Sequence, residues 1–464
     1  MNISVVGLGK LGLPMAIAIA KMGHQVVGVD VDERRVASIA KGTSPISEPG
    51  MDGLLKEALA SRRFQITTDY QTAVGNSSIS IIAVNTPDGP DGNMDLSQIR
   101  ESSQAIGNAL RNKRDFHIVA VSSTILPGTT TDLVRPTLEQ YSGKRCGEDF
   151  GVCASPVFIA LATVVRDFLN PPVVVLGEGD ERVGKTMADF YAGLCQNKPQ
   201  ILRTTPLTAE LIKMTHNAFA TCKMAFINEI GVLCSRLSGA DVRAITKFFQ
   251  HGGERAGKFL TAGLGFGGPC FPRDLKFFLS YSETMGYRPT LIRAVGESNV
   301  RHTHEIIRLI EESSGELKGR VTAILGLAYK PGVDIIENSF SLVLTKLIQE
   351  KGASVRVYDP MAMRNCREVL GNGFVYASSA IEALRGAELC ILTTPWKEFK
   401  ELKSADFKAQ MKRSLVFDPW GLFDADSFAE DLDGYVRLGD GQLANNIGRR
   451  YGEKALHSSP IFLP

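Results

Sequence analysis

The first thirty residues constrain the fold of this chain more than any other stretch. Residues 2–7 (Asn-Ile-Ser-Val-Val-Gly) read as a buried strand, and the turn Gly7-Leu8-Gly9-Lys10-Leu11-Gly12 follows. Pro14-Met-Ala-Ile-Ala-Ile-Ala20 then reads as an apolar helix, and Gln25-Val-Val-Gly-Val29 as a second strand ending at Asp30. Glycines so placed make a tight turn, admit a diphosphate close to the backbone and let helix pack on strand. The helix N-terminus adds free N–H groups for the phosphates. Gly7, Gly9, Lys10, Leu11 and Gly12 are therefore predicted to hold a dinucleotide, with Asp30, about 20 residues on, at a ribose 2′-hydroxyl. A carboxylate there repels a 2′-phosphate, so the expected cofactor is NAD rather than NADP.

Further strands alternate with helical stretches. Ser78–Val84 ends in Asn85-Thr86-Pro87, and His117–Ser123 ends in Thr124-Ile-Leu-Pro-Gly128. Such continuous apolar runs suit a parallel sheet covered on both faces. Ligands of these sheets bind beyond the strand C-termini, which makes Thr86, Pro87, Ser123 and Thr124 candidate cofactor contacts. Their hydroxyls suit ordinary turn hydrogen bonds equally well.

Residues 208–237 carry one long helical pattern with apolar residues nearly all round, as in a buried or subunit-bridging helix. Lys213 and Asn217, four apart, share one face of it. His216 reads as a helix histidine, and no second ligand stands at metal-binding spacing. From Gly319 the strand-and-turn alternation resumes, with strands ending at Asp359, Thr394 and Asp418 and an amphipathic helix at 339–351. The expected fold is α/β, two Rossmann-like doubly wound domains joined by a long central helix, with domains at 1–200, 201–312 and 313–464. Residues 443–464 have weak periodicity and receive no role.

The chemistry concentrates at Gly263-Leu-Gly-Phe-Gly-Gly-Pro-Cys270-Phe-Pro-Arg-Asp274. Closely spaced glycines let the backbone approach a ligand. A lone cysteine near a helix start is a candidate nucleophile, and Asp274 is placed to cap that helix. The plainer alternative is a turn around a buried thiol.

The net charge of +2 gives no bulk attraction to nucleic acid or anionic membrane. The start of the chain lacks a basic flank, and no run of 18 apolar residues occurs, so neither a secretory signal nor a membrane span is expected. Eight scattered cysteines without a C-x-x-C pair fit reduced thiols in a cytoplasmic protein.

Taken in order, the turn Gly7–Gly12, Ser47-Glu-Pro-Gly50, Asn85-Thr-Pro87, Ser123-Thr-Ile-Leu-Pro-Gly128, Asn170-Pro-Pro172, Lys213…Asn217-Ala-Phe219, Phe226-Ile-Asn-Glu-Ile230, the Cys270 loop and Gly326-Leu-Ala-Tyr-Lys330-Pro331 resemble the UDP-glucose/GDP-mannose dehydrogenase family over nearly the whole length. The resemblance implies an NAD domain, a central homodimer helix and a nucleotide-sugar domain. It further implies a four-electron oxidation at the sugar C6 with two NAD, serving polysaccharide biosynthesis. By the same resemblance Cys270 is the nucleophile, Lys213 the oxyanion partner and Asn217 a donor to the reacting oxygen. Asp274 and Thr124 would serve at the acid–base centre. Arg255, Phe259, Gly267, Phe271 and Lys330 would contact the sugar and diphosphate.

The chain departs from the family pattern in three places. Ser155-Pro-Val157-Phe-Ile-Ala-Leu161-Ala162 replaces a segment that usually carries glutamates where Val157 and Leu161 stand. Glu337 replaces an arginine, and Asp418-Pro-Trp420 replaces Asp-Gly-Arg. Loss of acid–base side chains typically costs about two to four orders of magnitude in rate. Three alternatives therefore stay open at this point: another nucleotide sugar, turnover that stops at the aldehyde or thioester, or a homologue that only binds NAD or a nucleotide sugar.

Overall fold

The computed structural model describes residues 1–46, 48–89, 92–251 and 258–441. The chain divides into two compact units, Met1–His216 with Glu283–Met285, and Asn217–Ser282 with Gly286–Pro464.

The first unit is built on strands β1 (Asn2–Val6), β2 (Gln25–Val29), β3 (Phe64–Thr67), β4 (Ile79–Ile82), β5 (His117–Val121), β6 (Phe150–Ala154), β7 (Val173–Glu178) and β8 (Gln200–Thr204), in the order β3-β2-β1-β4-β5-β6-β7-β8. Their β-branched residues are buried on both faces, as parallel strands between helices require: Ile3, Val5, Val6, Ile79, Ile81 and Ile82 are fully enclosed. The pairing is parallel except where β7 runs against β6. Val6 lies level with Val29 and Ile82, and Ile82 with Val121. This register brings the glycine turn, Asp30 and the loops after β4 and β5 to one edge of the sheet. Strand order reverses between β1 and β4 at that edge, where such sheets bind their ligands.

The second unit repeats the scheme with β9 (Val321–Leu325), β10 (Ser354–Tyr358), β11 (Val375–Tyr376), β12 (Leu389–Leu392), β13 (Leu415–Asp418) and β14 (Gly434–Arg437), ordered β11-β10-β9-β12-β13-β14 and parallel throughout. In both units the acid that ends the second strand closes the loop after the first. Asp30 accepts from Leu8 N at 2.7 Å. Asp359 accepts from Leu327 N at 2.7 Å and Ala328 N at 2.9 Å.

The helix Pro206–Ser235 begins in the first unit and continues into the second. Among the described residues it is the one helix long and apolar enough to cross a membrane by length and composition, with mean hydropathy 1.2 over its most apolar window, half of which is buried inside the protein. It also carries buried Glu210, Asn217 and Asn228, each hydrogen-bonded within the protein.

Candidate active site

In the first unit the glycine turn has the shape a dinucleotide needs. A Cβ on Gly12 would sit 1.7 Å from Gly7 O, and Gly7 itself has φ +91°, so neither position tolerates a side chain. Gly9 faces open space, with nothing within 4 Å of a would-be Cβ. That space lies before the helix Gly12–Lys21, where a diphosphate can meet backbone N–H groups. Lys10 is exposed at the turn and Leu11 half-buried.

Asp30 is buried, and its carboxylate accepts from Leu8 N, from Asp32 N at 3.0 Å and from Arg35 Nη1 at 2.8 and 3.0 Å. Arg35 was not singled out in the sequence. The signal was there, one helical turn into Glu33–Ala40 beyond the acid.

Thr86 Oγ1 donates to Thr124 O over 2.7 Å, and Ser123 Oγ to Val84 O over 2.7 Å. These hydroxyls tie the loops after β4 and β5 together, and Pro87 O accepts from Asp95 N at 2.8 Å. Glu210 was likewise missed. It is buried and takes Gly128 N at 2.5 Å and Thr130 N at 2.8 Å, which anchors the segment after Thr124. Burial raises its carboxyl pKa, against the lowering effect of those same hydrogen bonds.

Lys213 Nζ donates to Val157 O over 2.8 Å, and the Phe158 ring lies 5.2 Å from the ammonium. His216 stands edge-on to Phe158, ring centres 4.9 Å apart. Val157 thus offers the lysine its backbone, since its side chain has nothing to offer.

In the second unit Cys270 immediately precedes the helix Phe271–Thr284, and its carbonyl accepts from Asp274 N at 2.8 Å in the first turn. Asp274 is therefore inside the helix, not its cap; the cap position belongs to Cys270, because the helix starts at Phe271, four residues earlier than a cap at Asp274 implies. Asp274 is 2% exposed. One of its oxygens receives Arg273 Nε and Nη2 at 3.0 and 2.8 Å, and the other receives Asn217 Nδ2 at 2.6 Å.

Burial lowers the pKa of Arg273, but the charges of Asp274, Cys270 and Glu337 outweigh it and hold the guanidinium above its ordinary value. Cys270 is exposed. The other seven cysteines are buried or half-buried, and burial raises each of their thiols, Cys195 to about 11 and Cys366 to about 12. Cys270 lies at a helix N-terminus, three residues before Arg273.

The glycine loop before Cys270 is pinned by side chains. Asn228 Oδ1 accepts from Gly263 N, and Asn299 exchanges two bonds with Phe266 at 2.9 and 3.0 Å. His302 Nε2 donates to Gly263 O at 2.8 Å, and burial lowers the pKa of its ring. A Cβ on Gly267 would meet Asn338 O at 2.2 Å, so the loop lies directly on the residue after Glu337. The Trp420 ring fills the space where a Gly263 side chain would be.

Phe259 takes φ +69° and meets Phe271 edge-on at 5.8 Å; a strained non-glycine residue of this kind is held by its surroundings. Lys330 is half-buried, 5.7 Å from the Tyr329 ring. Arg255 lies outside the described residues.

The first unit is a Rossmann unit with a dinucleotide-binding turn, and the second pairs a Rossmann-like parallel sheet with a cysteine at the start of a helix; together they define an NAD-dependent oxidoreductase. Residues 1–195, 207–301 and 323–425 match, respectively, the NAD binding, central and UDP binding domains of the UDP-glucose/GDP-mannose dehydrogenase family. The chain is 35% identical to a UDP-glucose 6-dehydrogenase of Haloferax volcanii over 90% of its length and 96% of that protein. It is 33% identical to a UDP-glucose 6-dehydrogenase of Rhizobium meliloti, covering 95% and 99% of the two chains. Among solved structures, a UDP-glucose dehydrogenase from Pyrobaculum islandicum superposes with a TM-score of 0.83 at 34% identity, over 93% of this chain and 96% of that one. The protein belongs to the UDP-glucose/GDP-mannose dehydrogenase family.

Proposed function

We propose that the protein oxidises UDP-glucose at C6 to UDP-glucuronate with NAD, through a covalent bond to Cys270. The observation that carries this reading is the exposed Cys270 thiol at a helix start, one turn from the Arg273–Asp274–Asn217 cluster. The names of its relatives favour UDP-glucose.

Gly7, Gly9, Lys10, Leu11, Gly12, Asp30, Thr86, Pro87, Ser123 and Thr124 hold NAD. Bound NAD supplies the hydride acceptor in both oxidations, of the alcohol and then of the sulfur adduct. The Cys270 thiolate adds to the C6 aldehyde, forming a C–S bond and placing negative charge on the former carbonyl oxygen. The Lys213 ammonium and the Asn217 amide stabilise that charge. After the second oxidation the adduct is a thioester. Water adds to its carbon, the C–S bond breaks, the thiolate returns and the carboxylate leaves. Asp274 and Thr124 orient that water, and its protons pass to solvent. Phe259, Gly267, Phe271 and Lys330 surround the sugar and diphosphate, with Arg255 a further contact.

The functional division is into 1–200, 201–312 and 313–464. The protein works as a homodimer: Phe219, Phe226 and Leu233 recur every seven residues on Pro206–Ser235 and are 61%, 49% and 52% exposed, an apolar stripe that a second copy covers. Free cysteines and the small net charge fit a cytoplasmic enzyme that engages neither nucleic acid nor membrane.

The test is initial NAD reduction with UDP-glucose, GDP-mannose and UDP-N-acetylhexosamines side by side. UDP-glucose gives the highest kcat/KM. A higher value for another sugar moves the substrate, and no reduction with any of them overturns the reading.

A further inference from the structure

The loop that carries Val157 and Leu161 has no acid side chain at either position, yet it holds the ammonium of Lys213. The backbone does this. Its anchor lies 114 residues earlier in the chain: Glu48 Oε2 accepts from Ala162 N at 2.7 Å, and Glu48 Oε1 accepts from Val164 N at 2.7 Å. Two short bonds from one ionised carboxylate to two backbone N–H groups are of the strong, charge-assisted kind.

Ala162 has φ +70°, a left-handed conformation that costs a residue with a Cβ roughly 1–2 kcal/mol. The helix Val164–Leu169 has no side-chain cap from Thr163, whose hydroxyl bonds Ala160 O and Asp167 instead. Asp167 adds a second staple at Ala160 N, 3.1 Å. Glu48 therefore both satisfies the first turn of the helix and fixes the strained residue before it. Four residues before Ala162, the Phe158 ring packs against His216 and lies beside Lys213. One residue earlier, Val157 O receives Lys213 Nζ.

We infer that Glu48 is a positioning residue for Lys213, acting through the backbone of residues 157–164. A carboxylate placed elsewhere in the sequence fixes the loop, and a peptide oxygen of that loop holds the lysine. The inference rests on the role proposed above for Lys213.

The experiment is a double-mutant cycle on the full-length protein with UDP-glucose and NAD. Glu48→Gln keeps one acceptor oxygen but turns an amide NH2 toward a backbone N–H. Its kcat falls about tenfold, the loss expected for one charge-assisted bond, while KM for NAD stays within twofold. Lys213→Ala lowers kcat by a larger factor, measured over long time courses at high enzyme concentration. In the Lys213→Ala background, Glu48→Gln has no further effect on kcat, because the group it positions is gone.

The inference is overturned if Glu48→Gln leaves kcat unchanged. It is also overturned if the tenfold loss persists in full without Lys213, which is what a merely structural clamp would produce. Unchanged kcat in Lys213→Ala alone instead sinks the role assigned to the lysine, and the inference with it. Circular dichroism and melting temperature of each variant separate these outcomes from unfolding.

Discussion

Asn217 donates to Asp274 Oδ2 over 2.6 Å while Arg273 occupies Asp274 Oδ1 twice, so the carboxylate has a fixed partner on each oxygen. It sits in the first turn of the helix that Cys270 starts. The cluster ties Asn217 of the helix Pro206–Ser235 to the first turn of the helix that follows Cys270.

Removing the charge from Asp274 should therefore cost both stability and rate. Asp274→Asn leaves a largely buried guanidinium without its counter-ion, a loss of about 3 kcal/mol. Urea unfolding measures it. Asn217→Ala leaves the ion pair intact and costs about 1 kcal/mol. If the two variants lose equal stability, the ion pair is not what holds the cluster.

Asp30 and Arg35 make a testable pair for cofactor choice. Asp30 pairs with Arg35, and in its proposed place at the cofactor ribose its charge would repel a 2′-phosphate; Asp30→Asn keeps an acceptor for Leu8 N and releases the guanidinium's charge. The expected result is a fall of about tenfold in kcat/KM for NAD and a rise in the NADP-to-NAD ratio. Assay of both cofactors checks it, and an unchanged ratio would remove Asp30 from the specificity argument.

His117 gives a pH signature. It is buried beneath the sheet edge opposite the glycine turn, with Nε2 at 2.8 Å from Ser80 Oγ and Nδ1 at 3.2 Å from Ser77 O. Ser80 continues the chain to Ser4 at 2.6 Å. Burial first, then the charge of Lys113, lowers the imidazole pKa to about 3, against the hydrogen bond to Ser77. The folded pKa lies below the unfolded value, so this stabilisation is full above pH 6.5 and is lost as pH falls toward 3. Between pH 7.5 and 5 the loss from this group is about 2 kcal/mol. Denaturant midpoints across that range should fall in the native protein and fall less in His117→Asn, which starts lower. Parallel slopes would contradict the assignment.

Ala162 is strained at φ +70°. Glycine carries no such penalty, so Ala162→Gly should stabilise the folded protein by about 1 kcal/mol, less the entropy glycine adds to the unfolded chain. Thermal melting tests the sign. A lower melting temperature would mean that Ala162 is not strained.

Much of the fold was legible because the glycine turn, the buried strands and their terminal acids are local patterns. Gly7–Gly12 and Asp30 announce a Rossmann unit within thirty residues, and Asp359 and Asp418 mark the second one. The reversal of β7 against β6 was not legible, since an apolar strand carries no sign of its direction. Local pattern also misplaced Asp274: an acid before an apolar run looks like a cap, and only the backbone shows that the helix begins at Phe271. Long-range partners stayed hidden for a physical reason. Glu48 with Ala162, Glu210 with Gly128, and Trp420 with Gly263 are each far apart in sequence, and a carboxylate that serves backbone N–H groups leaves no motif at the positions it serves. The Val157 and Leu161 departures were visible in the sequence, but the use of Val157 O by Lys213 was not.

The central claim is that Cys270 carries the sugar through two oxidations. The most direct test follows NADH formed per UDP-glucose consumed to completion, with intact-protein mass spectrometry of the native enzyme and of Cys270→Ser. The account predicts two NADH per UDP-glucuronate, and a transient adduct on the native protein that Cys270→Ser does not form. One NADH per sugar with free aldehyde as the product, or full two-NADH turnover by Cys270→Ser, would contradict it.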